Sequence, residues 1–182
     1  MSSYEAFEIS QEQAARLQCI AAPYAPTPLD VVREALKLAQ VTPNDCVFDL
    51  GSGDGRVIRA AAHLGARGYG VELDLARAEQ SHELAIREGI SGRVDFEHGD
   101  LHTVDLSPAT LVYLYLMPKS VNALRYKLQC ELRPGARVLS HDYRILGWQA
   151  SRIARLRTKD KARITGKHEC LLYLYEVPGA WK

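Results

Sequence analysis

The chain has 182 residues, enough to bury one core around a central sheet and too few for a second catalytic domain. Its 23 Lys and Arg stand against 22 Asp and Glu, so no global field of either sign draws it to nucleic acid or to a membrane. No apolar run reaches the ~18 residues of a membrane span. The four cysteines, Cys19, Cys46, Cys130 and Cys170, show no paired spacing, and they read as reduced residues with no metal to hold. Met1 to Gln13 has neither a basic start nor an apolar core, so it does not read as a secretory signal, and a cytoplasmic location is expected.

From Ser10 the apolar spacing predicts a short amphipathic helix, with Ser10 as N-cap and Gln13 as its capping-box partner, stopped by Pro23. Pro23-Tyr-Ala-Pro-Thr-Pro28 is stiffened by three prolines and reads as a rigid loop. Thr27 is expected to cap the next helix, with Pro28 at its first position and Leu29, Val32, Leu36 and Ala39 recurring at helical spacing. Cys46-Val-Phe is a buried strand that runs into Asp49-Leu-Gly51-Ser-Gly53-Asp-Gly55-Arg56. An apolar helix follows from Val57 to Leu64 and stops at Gly65.

That strand-to-helix turn organises the rest. Its glycines let a ligand lie against free backbone N–H groups, and Asp49 places a negative charge where an amine-bearing ligand would rest, which argues against phosphate. Arg56 occupies the position of the third glycine of a dinucleotide fingerprint, which weakens a nicotinamide reading. A cation in the first helical turn is unfavourable unless paired, and Asp54 is the nearby candidate. Gly68-Tyr-Gly-Val-Glu72 reads as a second strand ending in an acid 21 residues after Gly51, close to the spacing of about 20 at which a carboxylate meets ribose hydroxyls. The two halves together point to an adenosine-containing ligand.

Asp49-x-Gly-x-Gly-x-Gly followed by Glu72 resembles motifs I and II of class I S-adenosylmethionine-dependent methyltransferases. The resemblance implies that Asp49, Gly51 and Gly53 hold the methionine end of the cofactor and Glu72 the ribose, with Leu73 beside it. It implies that Asp100 and Leu101, in Phe96-Glu-His-Gly-Asp-Leu101, lie near the adenine. A narrower similarity runs through the Pro-Tyr-Ala-Pro-Thr-Pro loop, Thr110-Leu-Val-Tyr-Leu-Tyr-Leu116 and Leu132-Arg-Pro-Gly-Ala-Arg-Val-Leu-Ser-His-Asp142, roughly residues 22 to 147. It resembles the group containing archaeal broad-specificity protein lysine methyltransferases and mitochondrial ATP synthase c-subunit lysine methyltransferases. In that group the Pro-Tyr-x-x-Thr-Pro loop encloses the cofactor, which implies this role for Tyr24 and Thr27. The membrane-embedding N-terminal segment of the mitochondrial members is not expected here, so their particular substrate is not carried across. The implied fold is an α/β Rossmann-like sandwich, a seven-stranded mostly parallel sheet with an antiparallel C-terminal hairpin strand. Residues 1–182 are expected to form one domain, with 1–28 as helix and covering loop and 29–182 as core.

Downstream, Asp74 is expected to cap a helix to Glu88, Arg93 to Phe96 to form a strand, and the apolar run Ala109 to Leu116 to form the middle of the sheet. The Asn-Pro-Pro-Tyr motif of amide and base N-methylation is absent after it, which makes nucleic acid an unlikely substrate. A helix is expected from Val121 to Leu132 and a strand from Arg137 to Tyr143, with Arg152–Arg157 and Glu169–Glu176 as an edge hairpin. Between Arg152 and Lys167 lie seven Lys or Arg and one acid, Asp160. Two readings stand: charge protecting a sheet edge, or a patch steering an acidic protein surface or a nucleic-acid backbone, testable through Lys159, Lys161 and Arg163.

The chemistry expected is attack of a neutral lysine amine on a sulfonium methyl, yielding S-adenosyl-L-homocysteine. A lysine at its reference pKa of about 10.4 must lose a proton first, and burial beside a cation favours this, so a dedicated base is not required. Tyr115 is the candidate for positioning the amine, against core packing as the other reading, and Tyr113 and Tyr115 are not expected to share a pocket. His141 and Asp142 are read as lining the substrate entrance, as accepting a proton through water, or as structural. The partner expected is a protein with an accessible lysine. The rival functions are a small-molecule N- or O-methyltransferase and a non-catalytic cofactor-binding module.

Overall fold

In a computed structural model, residues 24–158, 160–162, 166 and 168–180 are described. The helix expected from Ser10, together with Cys19, Lys159, Arg163 and Lys167, lies outside them. Seven strands form one sheet in the order β3-β2-β1-β4-β5-β7-β6. They are β1 (Cys46–Leu50), β2 (Arg67–Glu72), β3 (Val94–His98), β4 (Leu111–Leu114), β5 (Arg137–His141), β6 (Arg152–Arg157) and β7 (Glu169–Glu176). The first five run parallel, and β7 pairs antiparallel with both β5 and β6. This is the expected mixed sheet with a C-terminal hairpin at its edge.

Alternation along the central strands sorts the core into two layers. Leu111 and Tyr113 of β4 join Val47, Leu139 and Leu172 on one face, with α1 (Leu29–Leu38) and α2 (Arg56–His63). Val112 and Leu114 join Phe48, Leu50, Val138 and Tyr175 on the other, with α4 (Pro118–Ala123) and α5 (Arg125–Glu131). The expected Val121–Leu132 helix is thus two short ones meeting at Leu124. Leu124 keeps helical angles, so Val121, Leu124 and Leu128 still present one buried stripe at 3–4 spacing.

Asp74 caps α3 (Leu75–Arg87) by accepting from the Arg77 N–H, as its sequence position suggests. Thr27 does not cap α1. The N-cap is Pro28 with no side-chain cap, and the Thr27 hydroxyl turns inward to lie 3.3 Å from the Tyr113 hydroxyl. Among the described residues no helix is long and apolar enough to cross a membrane.

The strand order fixes where a ligand can sit. The chain passes β1-β2-β3 outward on one side, then returns to place β4 against the other side of β1, so the connections leaving β1 and β4 diverge. In open parallel sheets a crevice opens at that reversal, beyond the carboxyl ends of the strands. Asp49 stands there, paired in register with Gly70 of β2 and Tyr113 of β4.

Candidate active site

After Leu50 the backbone turns sharply, with Gly51 at φ +86°, a conformation that a side chain resists. The N–H groups of Gly51 and Ser52 both donate to the Val71 carbonyl, at 2.8 and 2.9 Å, which pins the turn to β2. Glu72 closes the arrangement: Oε2 accepts from the Gly53 N–H at 2.7 Å and Oε1 from the Asp74 N–H at 3.0 Å. The acid expected to meet a sugar therefore also braces the glycine turn, and its second lone pairs remain for a ligand.

Over the turn lies the Pro-rich loop. A Cβ at Gly53 would stand 2.6 Å from Tyr24 Cε2, so glycine is what lets the tyrosine ring come down on the backbone. The Arg77 guanidinium covers the same ring, 4.4 Å from its centroid. Arg56 pairs with Asp54 as its sequence position suggests, and it also donates from Nη1 to the Thr27 carbonyl at 2.8 Å. Arg56 thus ties the loop to the turn and Arg77 ties it to the helix after β2, roles that composition and spacing did not disclose for either.

Asp49 is the electrostatic anomaly of the site. It is 3 % exposed, and among the described residues no hydrogen bond or ion pair reaches its carboxylate. Burial, with the negative charges of Glu72 and Asp54 added, pushes its pKa up to about 8. Ser52 Oγ, also buried, has no hydrogen-bond partner.

The far wall is built from β4 and β5. Tyr113 is fully buried, its hydroxyl between Thr27 Oγ1 and His141 Nδ1, the latter at 3.1 Å. Burial raises its pKa well above the usual phenol value. Tyr115, half-buried just past the end of β4, stacks on the His141 ring at 4.0 Å between centroids and 20° between planes. Burial and the Asp142 charge push its pKa up to about 12, so both tyrosines are phenols at neutral pH.

His141 is completely buried and held near pKa 4 chiefly by that burial, so its ring is neutral. Asp142 adopts a left-handed φ of 65° and pairs with the Lys161 ammonium. His141, Asp142 and Cys170 offer ligand atoms within 4.8 Å of one another. Lys161 already holds that carboxylate, and burial pushes the Cys170 thiol up to about 11, so the cluster is an ion pair beside a neutral imidazole.

Tyr113 and Tyr115 do share a pocket, contrary to expectation. The period of a strand is two, so residues two apart point the same way. Both line one cavity of ≈ 610 Å³, within the range of small-molecule sites. The same cavity is lined by Tyr24, Thr27, Asp49, Gly51, Gly53, Glu72, Leu73, Asp100 and Leu101. Every residue singled out from the sequence for the cofactor or the amine therefore comes to one place. Arg77, Met117 and Tyr143 also line it, and local sequence offered no sign of them. His141 lies behind this wall, not at an entrance.

The residues fit S-adenosylmethionine on the structure's own terms. An uncompensated buried carboxylate faces the cavity beside a glycine backbone, an unpartnered serine hydroxyl lies next to it, and a second acid stands at the end of the adjacent strand. A parallel sheet with an antiparallel C-terminal pair and this crevice defines a class I S-adenosylmethionine-dependent methyltransferase.

Known proteins narrow the class. The sequence profile of the ANTKMT methyltransferase domain matches residues 49–152. A protein-lysine N-methyltransferase of Saccharolobus islandicus is 36% identical over 157 residues, 85% of this chain and 93% of the relative. An adenine nucleotide translocase lysine N-methyltransferase of Mus musculus is 37% identical over 130 residues, 70% of this chain and 56% of the relative. Among solved structures, an RNA methyltransferase from Salinibacter ruber in complex with S-adenosyl-L-homocysteine is 37% identical with a TM-score of 0.75, covering 84% of this chain and 94% of that one. The chain belongs to the ANTKMT methyltransferase-domain family.

Proposed function

We propose that this enzyme methylates the side-chain amine of lysine in proteins, as a single methyltransferase domain acting in the cytoplasm. The observation that carries the reading is the cavity that Tyr115, Tyr143 and Met117 line together with the carboxylate-flanked glycine turn. The relatives of Saccharolobus islandicus and Mus musculus, both described as lysine methyltransferases, support the same substrate class.

When bound, S-adenosylmethionine supplies an electrophilic methyl group on a sulfonium centre. Asp49 takes up the ammonium of its amino-acid end, and the Gly51–Gly53 backbone lies along that end. Glu72 accepts from the ribose hydroxyls, and Asp100, Leu101 and Leu73 border the adenine. Tyr24 and Thr27 close over the cofactor, held by Arg77 and Arg56. Tyr115, with its ring fixed by stacking on His141, orients the amine through its hydroxyl. Tyr113 and Tyr115 are phenols and His141 is held near 4, so the amine reaches neutrality by desolvation beside a cation. Alignment then supplies a large part of the barrier reduction, on the order of 7–11 kcal/mol.

RNA is the second reading, favoured by the identity to the Salinibacter ruber chain. The sequence Tyr115-Leu-Met-Pro118 after β4 lacks the motif used for base N-methylation, which favours protein. The test is incubation of the purified chain with radiolabelled S-adenosylmethionine and a proteome extract, split between protease and ribonuclease treatment. Label removed by protease and recovered as methyllysine supports the proposal. Label removed by ribonuclease, or found in small metabolites, overturns it, and tight cofactor binding without any label indicates a non-catalytic module.

A further inference from the structure

The basic run near the C-terminus is unexplained by the site described above. Residues 152–167 hold seven of the 23 Lys and Arg and one of the 22 Asp and Glu, which leaves 16 basic residues against 21 acidic ones elsewhere. The charges of a near-neutral chain are thus unevenly spread along its sequence. Lys161 has to be removed from any surface patch, since it is 1 % exposed and bound to Asp142. Among the described residues the exposed cations of this region are Arg152, Arg155 and Arg157 on β6 and Arg144 on the loop before it.

Register shows which of them act together. Ile153 pairs with Tyr173, Arg155 with Leu171 and Arg157 with Glu169, so these three point to the same face of the hairpin. Ile153 is 54 % exposed, unusual for so apolar a side chain, and the Arg157 side chain is 82 % exposed. Arg144 reaches the same face and lies over the Tyr173 ring, 5.3 Å from its centroid. Beside them is a groove of ≈ 350 Å³ lined by Arg144, Trp148, Ile153, Tyr173 and Tyr175. The one acid in register here, Glu169, is 3.4 Å from Arg157 and neutralises only part of the stripe. Among the described residues β6 pairs on one side only, with β7.

We infer that this edge is the docking surface for an extended acidic segment of the protein substrate, an inference that rests on the lysine reading. Carboxylates meet Arg144, Arg155 and Arg157, an apolar side chain enters the groove beside Ile153, and the segment's backbone pairs with the free side of β6. That strand edge, unpaired among the described residues, is what favours a peptide: its alternating N–H donors and C=O acceptors are matched in full by another extended chain, whereas phosphate oxygens can only accept. β6 runs in the same direction as β5, so its Arg157 end lies on the same side of the sheet as the methyl-transfer cavity. A strand added to β6 lies four strand spacings from β4, about 19 Å, which about six extended residues span. The acidic segment is therefore separated from the target lysine by about that number of residues.

The test uses the full chain saturated with S-adenosyl-L-homocysteine and two synthetic peptides. Each carries one lysine and, about six residues away, a run of alternating glutamate and leucine or the same run with glutamine for glutamate. Fluorescence anisotropy is expected to show roughly tenfold tighter binding of the glutamate peptide, lost as salt rises. The variant Arg144→Gln/Arg155→Gln/Arg157→Gln is expected to bind the two alike, with unchanged affinity for S-adenosyl-L-homocysteine. With S-adenosylmethionine, the glutamate run is expected to lower KM and leave kcat unchanged.

Equal binding of the two peptides to the native chain overturns the inference while methylation of both keeps the lysine reading. So does a preference that survives the triple substitution. Displacement of the glutamate peptide by a single-stranded RNA that binds more tightly assigns the surface to nucleic acid and overturns it too. Intact acidic preference with no label on either lysine overturns the lysine reading, and with it the docking role of the surface for such a substrate.

Discussion

The two ends of β1 carry the same side chain in opposite circumstances. Asp45, just before the strand, accepts from the Thr42 N–H at 2.7 Å and the Thr110 hydroxyl at 2.6 Å, and pairs with Arg137. Burial works to raise its pKa, but those hydrogen bonds and the guanidinium hold it below the usual carboxylate value. Asp49, four residues on, has none of these partners, and its pKa is pushed up to about 8. A buried acid that the fold satisfies is scaffold. One that the fold leaves uncompensated is held for something that arrives from outside, and its cost is carried until that ligand binds.

Several substitutions break or sharpen this contrast, and the largest effect is expected at Asp49. Asp49→Asn should weaken S-adenosyl-L-homocysteine by a hundredfold or more in calorimetric titration, roughly 3 kcal/mol, by removing the charge proposed to meet the ligand's ammonium. The same change should raise stability in alkaline solution. An acid with a folded pKa above its unfolded one binds more protons when folded, so its contribution is full at low pH and is lost as pH rises through about 8. His141, held near 4, has the opposite sign and offsets this between about pH 4 and the ordinary histidine value. Above that value Asp49 acts alone, so the native chain's Tm should fall toward pH 8 while that of Asp49→Asn stays level.

Asp45→Ala is the mirror experiment. It should cost about 3 kcal/mol in urea unfolding, since Arg137 and three donors, the Thr42 N–H and the Thr42 and Thr110 hydroxyls, lose their partner, and leave cofactor affinity within about twofold. Lys161→Met extends the comparison to Asp142, whose carboxylate is a fifth exposed and so loses somewhat less, about 2 kcal/mol, again with cofactor affinity retained. The smallest effect is at Tyr115→Phe, where kcat should fall by a few-fold to about tenfold with affinity for S-adenosyl-L-homocysteine unchanged. Loss of affinity there would move Tyr115 from the amine side of the cavity to the cofactor side.

The glycine-turn half of the cavity was legible because its geometry is local. The Gly51–Gly55 turn, Asp49 at the strand end and Glu72 after the next strand are set by backbone geometry that a short run of residues encodes. Arg56 paired with Asp54 and Asp74 as an N-cap were legible for the same reason. What escaped depends on distant chain. The basic run concealed that Lys161 is a buried counter-ion, because its partner Asp142 lies 19 residues away on a loop with a left-handed residue. Thr27 read as a helix cap, yet a tyrosine 86 residues on claims its hydroxyl. The Tyr113 and Tyr115 pair was misassigned through the strand period itself, since two residues apart means one face. Arg77 over Tyr24 required knowing that α3 packs beneath the Pro-rich loop.

The direct test of the uncompensated carboxylate is a proton count. S-adenosyl-L-homocysteine is titrated into the native chain at neutral pH in two buffers of different ionisation enthalpy, and the difference in heat gives the protons exchanged. With Asp49 near pKa 8 before binding and ionised against an ammonium afterwards, about 0.9 of a proton is released, and Asp49→Asn releases none. Binding of native affinity with no proton released would mean that Asp49 is already charged and compensated, and the ligand-waiting acid would not exist.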